Sequence, residues 1–180
     1  MSLTATEAHS KEGVDLVNST WVLPDPNTSL SGFLAGTAHS IDTDAIKAAP
    51  ISDRLNAAAT AFGVAGLNGK STYAVYDRAG LFSAPWVWWM LRSFGVSAQL
   101  VEGWSEDLVD TILPAKATIF ESVTDPRSSN ATKEDVLSIL GTDTQILDAR
   151  PPGRFSGGSP EPRPEWRAGH SPGRRNVPFG

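Results

Sequence analysis

STYAVYDRAGLFSAPWVWWMLRSFGVSAQLV, residues 71–101, decides the fold. It opens on a short apolar run, STYAVYD, bounded by Gly69 and Asp77, the kind of run that lies inside a parallel sheet. Gly80 then interrupts the chain, and Ser83 stands where a helix cap is expected. Pro85 falls in the first turn, where its missing N–H does no harm. Val87, Trp88, Met90, Leu91 and Phe94 follow, so the helix through Phe94 is apolar around much of its circumference. Most of the Trp88–Trp89 pair is expected in the core, with Trp86 off the buried face. Val96 to Val101 reads as a second strand. Strand, helix and strand with short links form a βαβ unit, which predicts an α/β chain with a parallel sheet flanked by helices.

Upstream, the first ordered segment is expected at Val14 to Ser19, followed by a turn-rich loop, LPDPNTSLSG. SIDTDAI reads as a short extended segment. Ser52 or Asp53 can cap a helix through Phe62 that Gly63 and Gly66 end. The opening MSLTATEAHSKEG lacks a charged-then-apolar export pattern and reads as a frayed terminus of a cytoplasmic protein. Downstream, Glu102 to Asn130 is rich in Ser, Thr and Pro and reads as a linker. Thr132 with Asp135 makes a capping box for a short helix to Leu140, closed by Gly141. QILDA is then a buried strand, and the remainder is loop with an extended NVPF near its end. The expected organisation is a domain over 10–105, a linker over 106–131, and the beginning of a second α/β unit over 132–180.

Composition narrows the function. With 40% hydrophobic and 19% charged residues in 180, the chain is globular rather than disordered or fibrous. A net charge of −5 argues against non-specific binding to nucleic acid or acidic membranes. No stretch approaches the roughly 20 apolar residues that span a bilayer. There is no cysteine, which removes disulfides, thiolate metal ligands and a cysteine nucleophile from the chain as given. His9, His39 and His170 show no ligand spacing, so neither metal nor cofactor is expected.

GLNGKST invites a phosphate-loop reading, but the spacing fails: the required first glycine would be residue 64, which is Val64. The order is also reversed, helix before strand, so a plain αβ turn is expected. Arg154 and Arg163 are more informative. They lie in the loop after QILDA, and α/β proteins place ligands at the carboxyl ends of parallel strands. Two guanidinium forks there would suit a small carboxylate or sulfonate. The other reading is that either arginine pairs with Glu161, Glu165 or Asp148.

ILDARPPGRFSG, PEPR and GHSPGRRNVPF resemble the opening of the C-terminal domain of tandem-rhodanese sulfurtransferases, the group of 3-mercaptopyruvate and thiosulfate sulfurtransferases. YDRAGLFSAPWVWWMLRSFG and VNSTWVLPD resemble segments of that family's N-terminal domain, and the likeness runs with gaps from about Asp15 to Gly180. It implies a rhodanese-like parallel sheet, one complete but shortened domain, and the start of a second. It implies chemistry in which a cysteine takes sulfane sulfur from a donor as a persulfide and passes it to a thiol or cyanide. In mercaptopyruvate-using members the arginines of GRF and PEPR bind the substrate carboxylate, and those motif positions fall on Arg154 and Arg163. The family's catalytic loop lies beyond NVPF, so the chain reads as C-terminally truncated, with the nucleophile missing and no activity alone.

The chain departs from the pattern in several places. Ser171 stands for Ile and Arg174 for a small residue in the GHIPG segment. Trp86 replaces an arginine, which implies loss of an interdomain salt bridge. The stretch from Ile46 to Asp53 is short, and His39 falls after a gap, so the catalytic role of the family's N-domain histidine is not carried to it. A strand without neighbours and exposed Ile146, Leu147, Val177 and Phe179 are expected to leave the tail from about Thr142 unstable. The alternative is a non-catalytic binding or regulatory module whose protein partner covers that tail.

Overall fold

The structure, a computed structural model, describes residues 2–21, 32–50, 53–103, 108–112, 115–126, 130–162 and 166–179. It divides into two units, Met1–Ser129 and Asn130–Gly180. In chain order the first contains β1 (Leu3–Thr4), α1 (Ala5–Ser10), β2 (Val14–Asn18), β3 (Phe33–Leu34), β4 (Thr37–Ser40) and α2 (Thr43–Ala48). It continues with α3 (Arg54–Val64), β5 (Thr72–Tyr76), α4 (Ala84–Ser93), β6 (Ala98–Glu102) and β7 (Leu108–Val109). Five strands form one sheet in the order β1-β6-β5-β2-β4, every pairing parallel. This is the rhodanese-like α/β arrangement expected from the sequence. β3 and β7 make a separate antiparallel pair.

The sheet's centre is apolar on both faces because helices cover both. Val17, Phe62, Leu67, Val75, Val87 and Leu91 are fully buried in one cluster. Leu16, Ala74, Tyr76 and Val101 face the other side, against Ala5 and Ala8 of α1. The N-terminus is therefore not frayed. Leu3 and Thr4 pair with Val101 and Glu102, and Thr4 with Glu7 forms a capping box that starts α1. SIDTDAI is also corrected, since only its start is extended. Asp42 accepts from the Asp44 and Ala45 amides (3.0 and 3.2 Å) and so caps α2.

Helix α4 forms as expected, with Pro85 in its first turn, but the Ser83 hydroxyl does not cap it. That hydroxyl donates instead to the Ser19 carbonyl (2.6 Å). The capping acceptor is the Asp77 carboxylate, which takes the Ser83 and Ala84 amides (2.8 and 2.6 Å) and those of Ala79 and Leu81 (2.8 and 3.1 Å). One side chain thus fixes the whole turn from β5 into α4. Trp88 is half-buried, donating to the Ala98 carbonyl (3.0 Å), whereas Trp89 is exposed.

The stretch read as a linker contains β7 and is otherwise irregular where it is described, yet it is bound to the first unit from Ala115 to Thr124. Ala115 donates to Ala38, Thr118 to Gly63, Glu121 to Asn68, and Val123 and Thr124 both to Phe94, at 2.8–3.2 Å. Phe120 closes against Phe62 and Phe94, centroids 5.2 Å away in each case. This strap needs glycines beneath it. A Cβ on Gly63 would lie 2.6 Å from the Thr118 carbonyl oxygen, and one on Gly69 would collide with that of Glu121. The glycines of GLNGKST and of the preceding helix end therefore serve close backbone approach. The segment itself is the αβ turn expected, with Asn68 Oδ1 accepting from the Lys70 and Ser71 amides.

The second unit holds α5 (Lys133–Ile139), β8 (Ile146–Asp148), α6 (Pro152–Ser156) and β9 (Arg174–Asn176). The Thr132–Asp135 capping box opens α5 as read. Two expectations change here. The segment after QILDA includes a helical turn, α6, rather than loop alone. Strand β8 is not solitary either: it pairs in parallel with β9, Ile146↔Arg174 to Asp148↔Asn176. Leu147, Val177 and Phe179 are nevertheless exposed, at 59%, 54% and 63%.

Candidate functional site

Strand β8 ends on Asp148, whose buried carboxylate organises the turn beyond it. Arg150 lies two residues on, so its guanidinium can fold back. Its Nε donates to Oδ1 (2.9 Å) and its Nη2 to Oδ2 (2.6 Å), a bidentate pair. Nη2 also reaches the Gly169 carbonyl (2.9 Å) and Nη1 the Glu161 carboxylate (2.7 Å). The Asn176 side-chain amide donates to the Asp148 and Arg150 carbonyls (2.9 and 2.8 Å), tying β9 to the same turn.

Arg154 sits in the last turn of α6. Its Nε donates to Glu161 Oε2 (3.0 Å) and its Nη2 meets the same oxygen. Glu161, with only 2% of its side chain exposed, thus bridges Arg150 and Arg154. The internal pairing weighed in the sequence is the one formed, and Nη1 of Arg154 takes no part in it. Arg163 lies outside the described residues.

The electrostatics follow from these contacts. Hydrogen bonds from Arg150 hold the Asp148 carboxyl well below its ordinary range, at about 2, against a smaller opposing effect of burial. The Arg154 hydrogen bond lowers Glu161 in the same way, and Arg150 is raised by Asp148. Asp148, Glu161 and Arg150 therefore stay ionised at neutral pH. What the cluster can do chemically is hold a guanidinium, Arg154, in one position beside the carboxyl end of a strand.

His170 stacks on Phe155 (centroids 3.8 Å, planes 11° apart) and its Nδ1 donates to the Phe155 carbonyl (2.8 Å). His39 is a core residue of the first unit. Its Nδ1 lies 2.8 Å from the Ala65 carbonyl, so that nitrogen carries the proton, and its Nε2 is 3.9 Å from Asp15. Trp86 is half-buried, 5.8 Å from the Lys47 ammonium, which sits 3.3 Å over Trp21. Burial lowers the Lys47 pKa. Sequence reasoning passed over Arg150, although the LDAR string places it directly after the strand. Among the described residues no group of His, Asp and Glu could hold a metal, and no helix is long and apolar enough to cross a membrane.

The comparisons with known proteins agree with this architecture. The 3-mercaptopyruvate sulfurtransferase of Escherichia coli K12 is 38% identical over 124 residues, covering 63% of this chain and 43% of that protein. Among solved structures, SseA from Escherichia coli, a 3-mercaptopyruvate sulfotransferase, superposes with a TM-score of 0.73 at 25% identity, over 98% of this chain and 74% of its own. Tum1 from Saccharomyces cerevisiae shares the fold, with a TM-score of 0.77 at 23% identity over 99% of this chain and 70% of that one. No family model matches. The fold is thus that of the rhodanese-like α/β proteins. In sequence and in fold the chain is similar to rhodanese-type sulfurtransferases. The chain spans less than half the length of the curated relatives it first matches.

Proposed function

We propose that these 180 residues carry the substrate-orienting part of a sulfane-sulfur transfer site and not its nucleophile. The observation that carries this is the Arg154–Glu161–Arg150 cluster at the end of β8 in a chain without cysteine. In the reaction proposed for the family, a thiolate attacks the sulfane sulfur of 3-mercaptopyruvate or thiosulfate. The sulfur's bond to the donor breaks, its electron pair leaves with pyruvate enolate or sulfite, and a persulfide remains. A thiol or cyanide then attacks the outer sulfur and regenerates the thiolate. Arg154, with Arg163, would hold the donor's carboxylate through bidentate guanidinium contacts. Ser and Thr cannot replace the thiolate, because neither can carry sulfane sulfur.

The test is thiocyanate release from 3-mercaptopyruvate and from thiosulfate, with cyanide present, by the 180-residue chain. A rate equal to the buffer blank is expected. A protein-dependent rate that survives repurification overturns the reading. A cytoplasmic location belongs to the same proposal.

A second reading is favoured by the exposed Leu147, Val177 and Phe179 around the β8–β9 pair. Such surface commonly marks an interaction site. In this reading the chain is a non-catalytic binding or regulatory module, and a protein partner covers the second unit. Limited proteolysis separates the two. Cleavage beyond Thr142 in the isolated chain, suppressed in a purified complex, supports the module.

A further inference from the structure

The second unit contains a cavity of about 590 Å³, walled by Arg150, Arg167, Arg174, His170, Ser171 and Trp166 among its lining residues. Among the described residues, every ionisable side chain in that wall is basic. The carboxylates that balance the cluster, Asp148 and Glu161, have side chains only 5% and 2% exposed and do not line the cavity. Among the described residues Arg150 and Arg154 balance those two carboxylates, which leaves Arg167 and Arg174 as two further positive charges on the wall, in a chain of net charge −5.

The arginines differ in how far the fold engages them. Arg150 is bound by Asp148, Glu161 and Gly169. Arg174 is not: its Nη1 stands 3.9 Å from Asp148, and its buried Nε has no hydrogen-bond partner among the described residues. Arg167 is exposed and forms no ion pair among them. The two positions at which GHSPGRRNVPF departs from the pattern it resembles, Ser171 and Arg174, both line this cavity. Where the pattern it resembles has an apolar residue and a small one, this wall carries a hydroxyl donor and a cation.

We propose that this cavity is an oxyanion site, distinct from the Arg154 position, and that its ligand is a phosphate or phosphate monoester dianion. Two guanidiniums without carboxylate partners at hydrogen-bond distance among the described residues match a dianion in charge. Their planar forks match tetrahedral phosphate oxygens in geometry, and Ser171 adds a neutral donor. The site does not depend on sulfur transfer and should be present in the chain alone.

Calorimetric titration of the 180-residue chain with inorganic phosphate, against sodium chloride at equal ionic strength, tests this. One saturable site per chain is expected. Arg167→Ala and Arg174→Ala should each weaken it about tenfold, the loss of one charge-assisted hydrogen bond, and the double variant should weaken it further. Arg175→Ala, which removes the same charge from a residue outside the cavity wall, should leave the affinity unchanged. Absence of saturable binding in the parent chain overturns the proposal. So does unchanged affinity in Arg167→Ala, whose exposed side chain forms no ion pair among the described residues, or equal weakening by Arg175→Ala. Thiosulfate, also a tetrahedral dianion, should compete with phosphate in the parent chain, and failure of that competition would overturn recognition by charge and tetrahedral geometry.

Discussion

The two units are held together by opposite means. In the first, Val17, Phe62, Leu67, Val75, Val87 and Leu91 have no exposed surface at all, and the sheet is covered on both faces. In the second, the one buried residue among those described is charged, Asp148, while Leu137, Leu147, Val177 and Phe179 are exposed. Burial of a large apolar side chain contributes roughly 1.5–3 kcal/mol and needs no particular partner. An ion-pair cluster stabilises only while every member is present, because removing one leaves its partner desolvated and unpaired. The first unit should therefore respond to lost volume, and the second to lost charge.

The largest expected effect breaks the first unit. Phe62→Ala empties a position at which α3 meets both Phe94 and the strap's Phe120, and should cost about 3–5 kcal/mol in denaturant unfolding. A change below about 1 kcal/mol would mean that this cluster is not the core it looks like. Next comes Gly69→Ala. Gly69 has φ +80°, where a Cβ would collide with the Glu121 carbonyl, so the variant should lose about 2 kcal/mol or more. It should also lose amide protection at Thr118 and Glu121. Protection that persists would show that the strap does not depend on this approach.

The third prediction moves to the second unit and uses pH. A carboxylate whose pKa is depressed in the folded state adds stability that is fully present above its unfolded value, and loses it as pH falls through the folded one. For Asp148 that window runs from 3.8 down to about 2. Exchange of the Val177 and Phe179 amides, bonded to the Asp148 and Ala149 carbonyls, should accelerate across it. Asp148→Asn should show fast exchange at every pH, and a profile as steep as the parent's would assign the transition to another group. The smallest effect sharpens the contrast. Thr132→Ala removes the capping box of α5 and should cost about 1 kcal/mol, read as faster exchange within 133–139 while the first unit is unchanged.

Local patterns were legible in the sequence wherever neighbours along the chain settle the matter. The βαβ unit at 71–101 follows from apolar runs and their breaks. The α5 capping box rests on residues three apart. What misled was local chemistry overruled by distant partners. Ser83 looks like a cap, but its hydroxyl is drawn to Ser19, sixty-four residues away, and Asp77 takes its place. The opening residues look frayed until Leu3 finds Val101.

For the candidate site, the sequence by itself determined which residue types are available: arginines after a strand, a resemblance that gives them a role, and no thiol to complete the chemistry. Only the tertiary structure decided how those arginines are used. It set Glu161 between Arg150 and Arg154, turned Arg174 and Ser171 toward one cavity, and placed three glycines under a strap that composition alone reads as a linker. The physical reason is the same in each case. Residue types and local periodicity depend on near neighbours, whereas the partner of a charge, or the space above a glycine, depends on which remote segment the fold brings there.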